Sequence, residues 1–373
     1  MLSGCSSLLG IGNFGLGSDA RPGSDGSAGS DTPVDHPPDT PPNCLGVPGW
    51  ELCFTQIPSG GVALTGNLST NAGSNQCAAT GTWSWTTANQ PDACVVAGGT
   101  ITISGTLTAT GSRPLVLAAT DTITIATLVV AANDNGGAPG APASTCGAFA
   151  TAPGNDSGGA GGGAGGSFVT AGGNGGTGDA VKGIGGTTSP TTGAPTVLRA
   201  GCEGQRGGQG TTTGANPGHA GGAVYVVARN IIAITGAINA SGSGGDGGNS
   251  PGAGGAGGGT GGSIVLDAPT ISAMVLVANG AGGGGGASQG GPGNGGNAPS
   301  ITTPLTPADG GNANGGGNGK GGAGYANQAA ATVGQSSGGN GHGGGGGGGG
   351  GGYIRANTAI TGATASPRID IVP

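Results

Sequence analysis

Few side chains in this sequence could do chemistry, and cysteine is the most ordered of them. From Cys44 onward the thiols are Cys44, Cys53, Cys77, Cys94, Cys146 and Cys202, an even set with no Cys-x-x-Cys spacing. The histidines, His36, His219 and His342, are scattered. Zinc and haem attachment are therefore disfavoured, no metal or cofactor is expected, and disulfides in an oxidising compartment are. Four of the six fall between residues 44 and 94, where three pairings are open; Cys146 and Cys202 share one glycine-rich stretch and are expected to bridge. The acids Asp121, Asp134, Asp156, Asp179, Asp246, Asp267 and Asp309 each stand alone in sequence, and an Asp beside Gly or Asn is commonly a turn residue. His219, in Pro217-Gly218-His219-Ala220, is the best single oddity but reads as a loop histidine. Trp83-Ser84-Trp85 would place both indoles on one face of a strand, able to stack on a sugar or to pack as core. Gly-x-Gly-x-x-Gly matches mean little in such a chain, and calcium-binding nonapeptides would need an Asp in every repeat. No catalytic residue is assigned, and a non-enzyme is expected.

The seventh cysteine, Cys5, closes Leu2-Ser3-Gly4-Cys5, which resembles a bacterial lipobox, with Ser6 and Ser7 following. That resemblance implies lipidation at Cys5 and anchoring in the outer membrane. A secretory signal needs an apolar stretch of about 7–15 residues, so this reading expects translation to start upstream of Met1. Residues 8–43 space Asp19, Asp25, Asp31, Asp35 and Asp39 among Pro, Gly, Ser and Thr, the composition of an extended tether.

Composition narrows the classes further. With 98 Gly, 7% charged residues and a net charge of −7, the chain lacks the basic stripe that nucleic-acid binding requires. No run of about 18 apolar residues offers a membrane-spanning helix. A hydrophobic fraction of 34%, gathered in β-branched runs, nonetheless supports a thin strand-built core.

Those runs repeat. Ile101-x-Ile103-x-Gly105-x-Leu107-x-Ala109 recurs from Ile123, Ile232 and Ile271, with a shortened echo at Ile360. Alternation over about ten residues is strand periodicity. Shorter apolar strands (115–117, 224–227, 263–266, 353–356) precede several copies, so each rung holds two strands. The spacing of 22 residues between Ile101 and Ile123 suits one turn of a solenoid whose rungs stack about 4.8 Å apart. The mid-motif Gly is expected at the corner between strands. Thr100, Thr102, Thr106, Thr108 and Thr110 would face outward. The expected fold is all-β: a parallel β-helix or solenoid over 98–373, preceded by a small disulfide-rich Cys/Trp module at 44–97.

Insertions near 134–220, 243–260 and 280–351 leave this solenoid at one place in the rung and should emerge on one side. They are written in Gly-Gly-x steps, and 343–352 is pure glycine. Either they are free coil, or they pack as polyproline-II-like glycine helices, the form preferred here. Deleting 280–351 is expected to leave folding intact.

In its order of lipobox, acidic spacer, Cys-rich segment, Ala93-Cys94-Val95-Val96-Ala97-Gly98-Gly99, and rungs opening Gly221-Gly222-Ala223-Val224-Tyr225, the chain resembles glycine-rich, PE-PGRS-like surface lipoproteins of Gram-negative bacteria. The likeness to true PE-PGRS proteins is in name only, since no helical Pro-Glu domain opens this sequence. The expected function is a structural or adhesive cell-surface protein, meeting surface polysaccharide or neighbouring cells. Ice or polysaccharide binding by the Thr ladder, and a polysaccharide-active β-helix enzyme, are the alternatives.

Overall fold

The computed structural model describes residues 43–132, 138–140, 146–179, 182–315, 319–339 and 341–372. Cys5, His36 and Asp134, and nearly all of the acidic tether, lie outside them. The described residues hold strands and no helix. Three short strands, β1 (Cys44–Leu45), β2 (Leu52–Phe54) and β4 (Trp83–Trp85), form an antiparallel sheet. Two long sheets are parallel throughout. One runs β3 (Gly61–Ser69), β6 (Thr100–Thr110), β8 (Thr122–Val129), β10 (Ile231–Asn239) and β12 (Thr270–Val277), and ends on β14 (Ile360–Thr361) and β15 (Thr364–Ser366). The other runs β5 (Cys94–Gly98), β7 (Leu115–Ala119), β9 (Ala223–Ala228), β11 (Ser263–Asp267), β13 (Tyr353–Ala356) and β16 (Ile369–Ile371).

The expected stack of two-strand rungs is thus present, and the register shows why it holds. Val62, Ile101, Ile123, Ile232, Ile271 and Ile360 are successive partners across the first sheet. Ile101, Ile123, Ile232 and Ile271 are at most 1% exposed, while Thr100 and Thr102 face solvent. A one-residue slip would turn the whole ladder outward, so the alternation fixes the pairing. Strands β7, β9 and β11 of the second sheet are buried on both faces, which explains their nearly unbroken apolar runs. Leu115, Leu117, Val224, Val226, Ile264 and Ile354 meet the first sheet in one core. Val116, Tyr225 and Val265 face the other way, under the antiparallel sheet.

Two expectations need correction. The stack begins before residue 98, because β3 lies within the Cys-rich segment and pairs with β6. The mid-motif glycine does not turn a corner between strands. It sits in a β-bulge inside one strand, where the register shifts between Ile103 and Thr106 and Gly105 takes φ +87°. Only glycine adopts that backbone cheaply.

The long insertions all leave from the end of a first-sheet strand and return to the start of a second-sheet strand, after β8, β10 and β12. Within them the peptide groups bond between segments, with a period of three residues. Along 343–352, the N–H groups of Gly343, Gly346, Gly349 and Gly352 donate to Ala287, Gly284, Ala281 and Ala278, each at 2.8 Å. Those of Gly344, Gly347 and Gly350 donate to Ala160, Gly163 and Gly166, and those of Gly345 and Gly348 to Gln335 and Thr332. The carbonyls of this run accept from 255–261, 173–176 and 322–325. The run therefore touches six neighbouring segments.

Followed outward, the same bonds arrange the segments in rows. One outer row holds 214–221, 240–248 and 293–297. The next holds 201–210, 252–262, 278–287 and 308–313, and the third 158–166, 342–352 and 319–325. The other outer row holds 183–190, 172–178 and 329–337. Glycine content follows position. A Cβ added at Gly343, Gly346, Gly349 or Gly352 would come inside 3.0 Å of the backbone carbonyl of Ala253, Ala256, Gly259 or Gly262. At Gly344 and Gly347 it would meet Gly176 and Gly173, and at Gly345 and Gly348 Lys320 and Ala323. Every side of this run is closed, so every residue is glycine. In the outer row one residue of each three turns to water, as Ala171 and Asn174 do.

The expectation that 280–351 is dispensable does not stand. Segments 278–287 and 342–352 lie inside the slab and hold the partners of most other rows. Gly346→Ala should cost about 3 kcal/mol, since a rigid carbonyl rather than a side-chain tip opposes the new methyl. Val333→Ala, at a residue 60% exposed on an outer row, should change stability by no more than about 0.5 kcal/mol. Denaturant midpoints of the two variants check both.

Candidate functional site

Among the described residues, two gatherings of side chains able to do chemistry stand out. The first is the junction between the antiparallel sheet and the outer side of the second long sheet. Tyr225 on β9 is 0% exposed and stacks on Trp85 (6.0 Å between ring centres, 26°), and Trp50 meets it edge-on with the ring centres 5.8 Å apart. Trp83 meets Trp85 edge-on at 6.2 Å. Both residues proposed for glycan stacking are half-buried here, and the face of Trp85 is taken by Tyr225. Trp85 Nε1 donates to the Pro91 carbonyl at 2.9 Å.

Below the rings, the Tyr225 hydroxyl donates to Asp267 Oδ2 at 3.2 Å, and the Val47 amide donates to the same oxygen at 2.8 Å. Arg355 lies over Trp50, its guanidinium carbon 5.3 Å from the ring centre. Burial pushes the Asp267 carboxyl above the usual range, against the pull of the Val47 amide, the Tyr225 hydroxyl and Arg355. Burial likewise drives the Tyr225 phenol well up, reinforced by Asp267. Val47 belongs to the Cys/Trp segment, so this carboxylate ties that segment to the stack.

The disulfides are Cys44–Cys53, Cys77–Cys94 and Cys146–Cys202. The first joins β1 to β2, and the second pins the loop after β3 onto β5. The third closes the base of the first insertion, as its two cysteines' shared location suggested. Arg199 is wedged beside it, Nη2 3.2 Å from Cys146 Sγ and the guanidinium 4.7 Å from the Phe168 ring centre. Such bonds belong to extracellular or periplasmic proteins.

The second place is a cleft of about 300 Å³ on an outer row of the slab, lined by Arg206, Asn216, Pro217, His219, Ser243 and Asp246. Three adjacent segments build it. Glu203 and Arg206, Asn216 and His219, and Ser243 and Asp246 are each three residues apart, so each pair lies on one side of its segment. Backbone bonds between the segments set them level: Ser243 to His219 (2.9 Å), Asp246 to Asn216 (3.0 Å) and Gly204 to Gly218 (3.0 Å). One level then reads Glu203, His219, Ser243 and the next Arg206, Asn216, Asp246. His219 Nδ1 is 3.0 Å from Glu203 Oε1, and Asn216 Nδ2 donates to Asp246 Oδ2 at 3.1 Å. Arg206 Nη1 donates to the Gly214 carbonyl at 3.1 Å. The Ser243 hydroxyl, 1% exposed, accepts from the His219 backbone N–H at 2.9 Å. The imidazole does not bond that hydroxyl, so Glu203, His219 and Ser243 do not form a relay to a nucleophile.

Sequence reading singled out His219 and Asp246 but saw no link between them, and it missed Glu203, Arg206, Asn216 and Ser243. Other isolated acids hold turns: Asp156 Oδ1 accepts the Gly158 amide, and Asp121 Oδ1 accepts Asn230 Nδ2. Among the described residues no group of three or more His, Cys, Asp or Glu could hold a metal ion. No protein-family model, curated protein or solved structure matches this chain.

The junction carries a pH prediction. Asp267 binds its proton more tightly folded than unfolded, so its contribution to stability is largest below the unfolded pKa and is lost as pH rises through the folded one. Asp267→Asn keeps an acceptor for Val47 and removes the buried charge. It should therefore gain stability over the parent at pH 7, and the gain should shrink as the pH is lowered through the carboxylate range. Thermal melts of both proteins across pH 3–7 (about the span over which carboxyls titrate) read the difference.

Proposed function

We propose that this chain is a non-enzymatic, exported cell-surface protein, structural or adhesive, whose solenoid carries a stiff glycine-rich slab as its working surface. The slab segments are read as polyglycine helices of the polyproline-II type. Three residues per turn, no bonds within a segment and bonds to neighbours on every side are what such helices have when packed. In this reading the lipobox-like Cys5 anchors the protein in the outer membrane, and the acidic tether holds the slab away from it.

One observation carries the proposal: the enclosed glycine run 343–352, whose side-chain positions are given up to close packing, against neighbouring backbone everywhere but at Gly351, which meets the Tyr325 ring. That arrangement builds a rigid body with flat faces from peptide groups alone, and it leaves one position in three on the outer rows for contact with a partner. Surface polysaccharide and neighbouring cells are the partners that fit such a face. Cells displaying the chain should adhere to polysaccharide-coated surfaces, and a Gly346→Val variant, with its slab disrupted, should lose most of that adhesion. Undiminished adhesion by a displayed but disrupted protein would sink the proposal.

A second reading rests on the outer side of the first sheet. There Thr102 and Thr124 are partners, continued by Ala233, Ser272 and Thr361 across the strands. A flat ladder of short side chains at strand spacing could match a crystalline lattice, ice or an insoluble glycan, although Ile231 and Ala233 interrupt its hydroxyls. Thermal hysteresis in the parent that vanishes in Thr124→Lys would establish this reading. A protein without hysteresis and without retention on insoluble glycans would remove it.

A further inference from the structure

We infer that the cleft between segments 201–210, 214–221 and 240–248 is a saccharide-binding site for a neutral, polyhydroxylated chain. This rests on the surface-display reading and names what one face of the slab would hold.

The cleft concentrates polar functional groups that most of the glycine slab lacks. In a protein with 7% charged residues, Arg206 and Asp246 stand together with His219 and Asn216 around one concavity, and Glu203 holds the His219 ring from behind. Their bonds to each other leave capacity unspent. Asp246 Oδ1, Asn216 Oδ1, His219 Nε2 and the second Arg206 amino group have no protein partner among the described residues. Donors and acceptors therefore alternate at short range, which suits vicinal hydroxyls that both give and accept. Pro217 adds a small apolar surface for a sugar's C–H face.

Other ligand classes fit less well. A phosphate or sulfate would meet the Asp246 carboxylate beside Arg206, a lining with no net positive charge from the pair. An apolar ligand would find only Pro217. A peptide adding itself as a strand needs a free backbone edge. Here the facing amides are used between segments: Gly204 to Gly218, Gly207 to Ala215, Ser243 to His219, Asp246 to Asn216. What remains is recognition by fixed polar side chains.

The backbone beneath is cross-bonded, so these side chains start from set positions and lose little freedom on binding. At about 3.1 Å per residue the two levels stand about 9 Å apart, so a ligand touching both runs along the groove.

The test uses the full chain on an array of neutral oligosaccharides, followed by calorimetric titration of the retained glycan. Asp246→Ala and Asn216→Ala should each weaken binding at least tenfold, while Val333→Ala on the opposite outer row should not. Melting temperatures of all three should match the parent, since none of these side chains lies inside the slab. Retention of no neutral glycan, or equal binding by Asp246→Ala, would overturn the inference. Cell adhesion separates it from the display reading. Adhesion lost in Gly346→Val but unchanged in Asp246→Ala, for a glycan-coated surface, keeps the display role and rejects the cleft. Adhesion unchanged in Gly346→Val rejects the display role, while the titration alone still decides the cleft.

Discussion

A buried peptide group must find a hydrogen-bond partner, and in most proteins a helix or sheet supplies it while side chains fill the space between elements. In the slab, both tasks fall to the peptide groups themselves. Segments come so close that a Cβ on an inner one would strike a neighbouring carbonyl, and that closeness is what lets each N–H reach across. Glycine is required by distance here more than by conformational freedom. Ala253, Ala256, Ala281 and Ala287, all at most 1% exposed, show that a methyl fits at certain inner positions, whereas 343–352 admits none.

Solenoid and slab are one bonded continuum. At the end of the first sheet the parallel ladder does not stop: Val130 donates to Asn239, Ala240 to Val277 and Ala278 to Ser366. One step further, Ala132 donates to Ser241 and Gly242 to Asn279. The rungs thus hand their register to the first turns of the insertions, and the insertions return it through Gly222, Gly262 and Gly352 to the second sheet. An aliphatic core aligns the rungs, and that alignment sets where each glycine segment starts.

Much of the solenoid could be read from residues alone, because Ile101, Ile123, Ile232 and Ile271 repeat one motif on one face. The rung at β3 was hidden in plain view. Val62-x-Leu64-x-Gly66-x-Leu68 follows the same pattern, yet it lies between cysteines and tryptophans that suggested a separate module. The Cys146–Cys202 bridge was legible from shared location, whereas the pairings among Cys44, Cys53, Cys77 and Cys94 needed strand positions. The polar cleft was not legible, for a reason of period. Glu203 with Arg206 and Asn216 with His219 share a side when a turn takes three residues, whereas the strand period of two, which governs the rest of this chain, puts them on opposite faces. Nor does any local pattern say that 201–210, 214–221 and 240–248 lie side by side; the lengths of their connections and the register of the rungs decide that.

The slab's interior of peptide groups also sets how the two halves of the molecule answer to cold. Unfolding an aliphatic core raises the heat capacity by about 0.45 cal/K/mol for each Å² exposed, while exposing polar surface lowers it by about 0.26. The β-stack is of the first kind and loses driving force as water cools. The glycine rows are mainly of the second kind, so they add little to the heat-capacity change, and their share of the stability weakens less on chilling than that of the aliphatic stack.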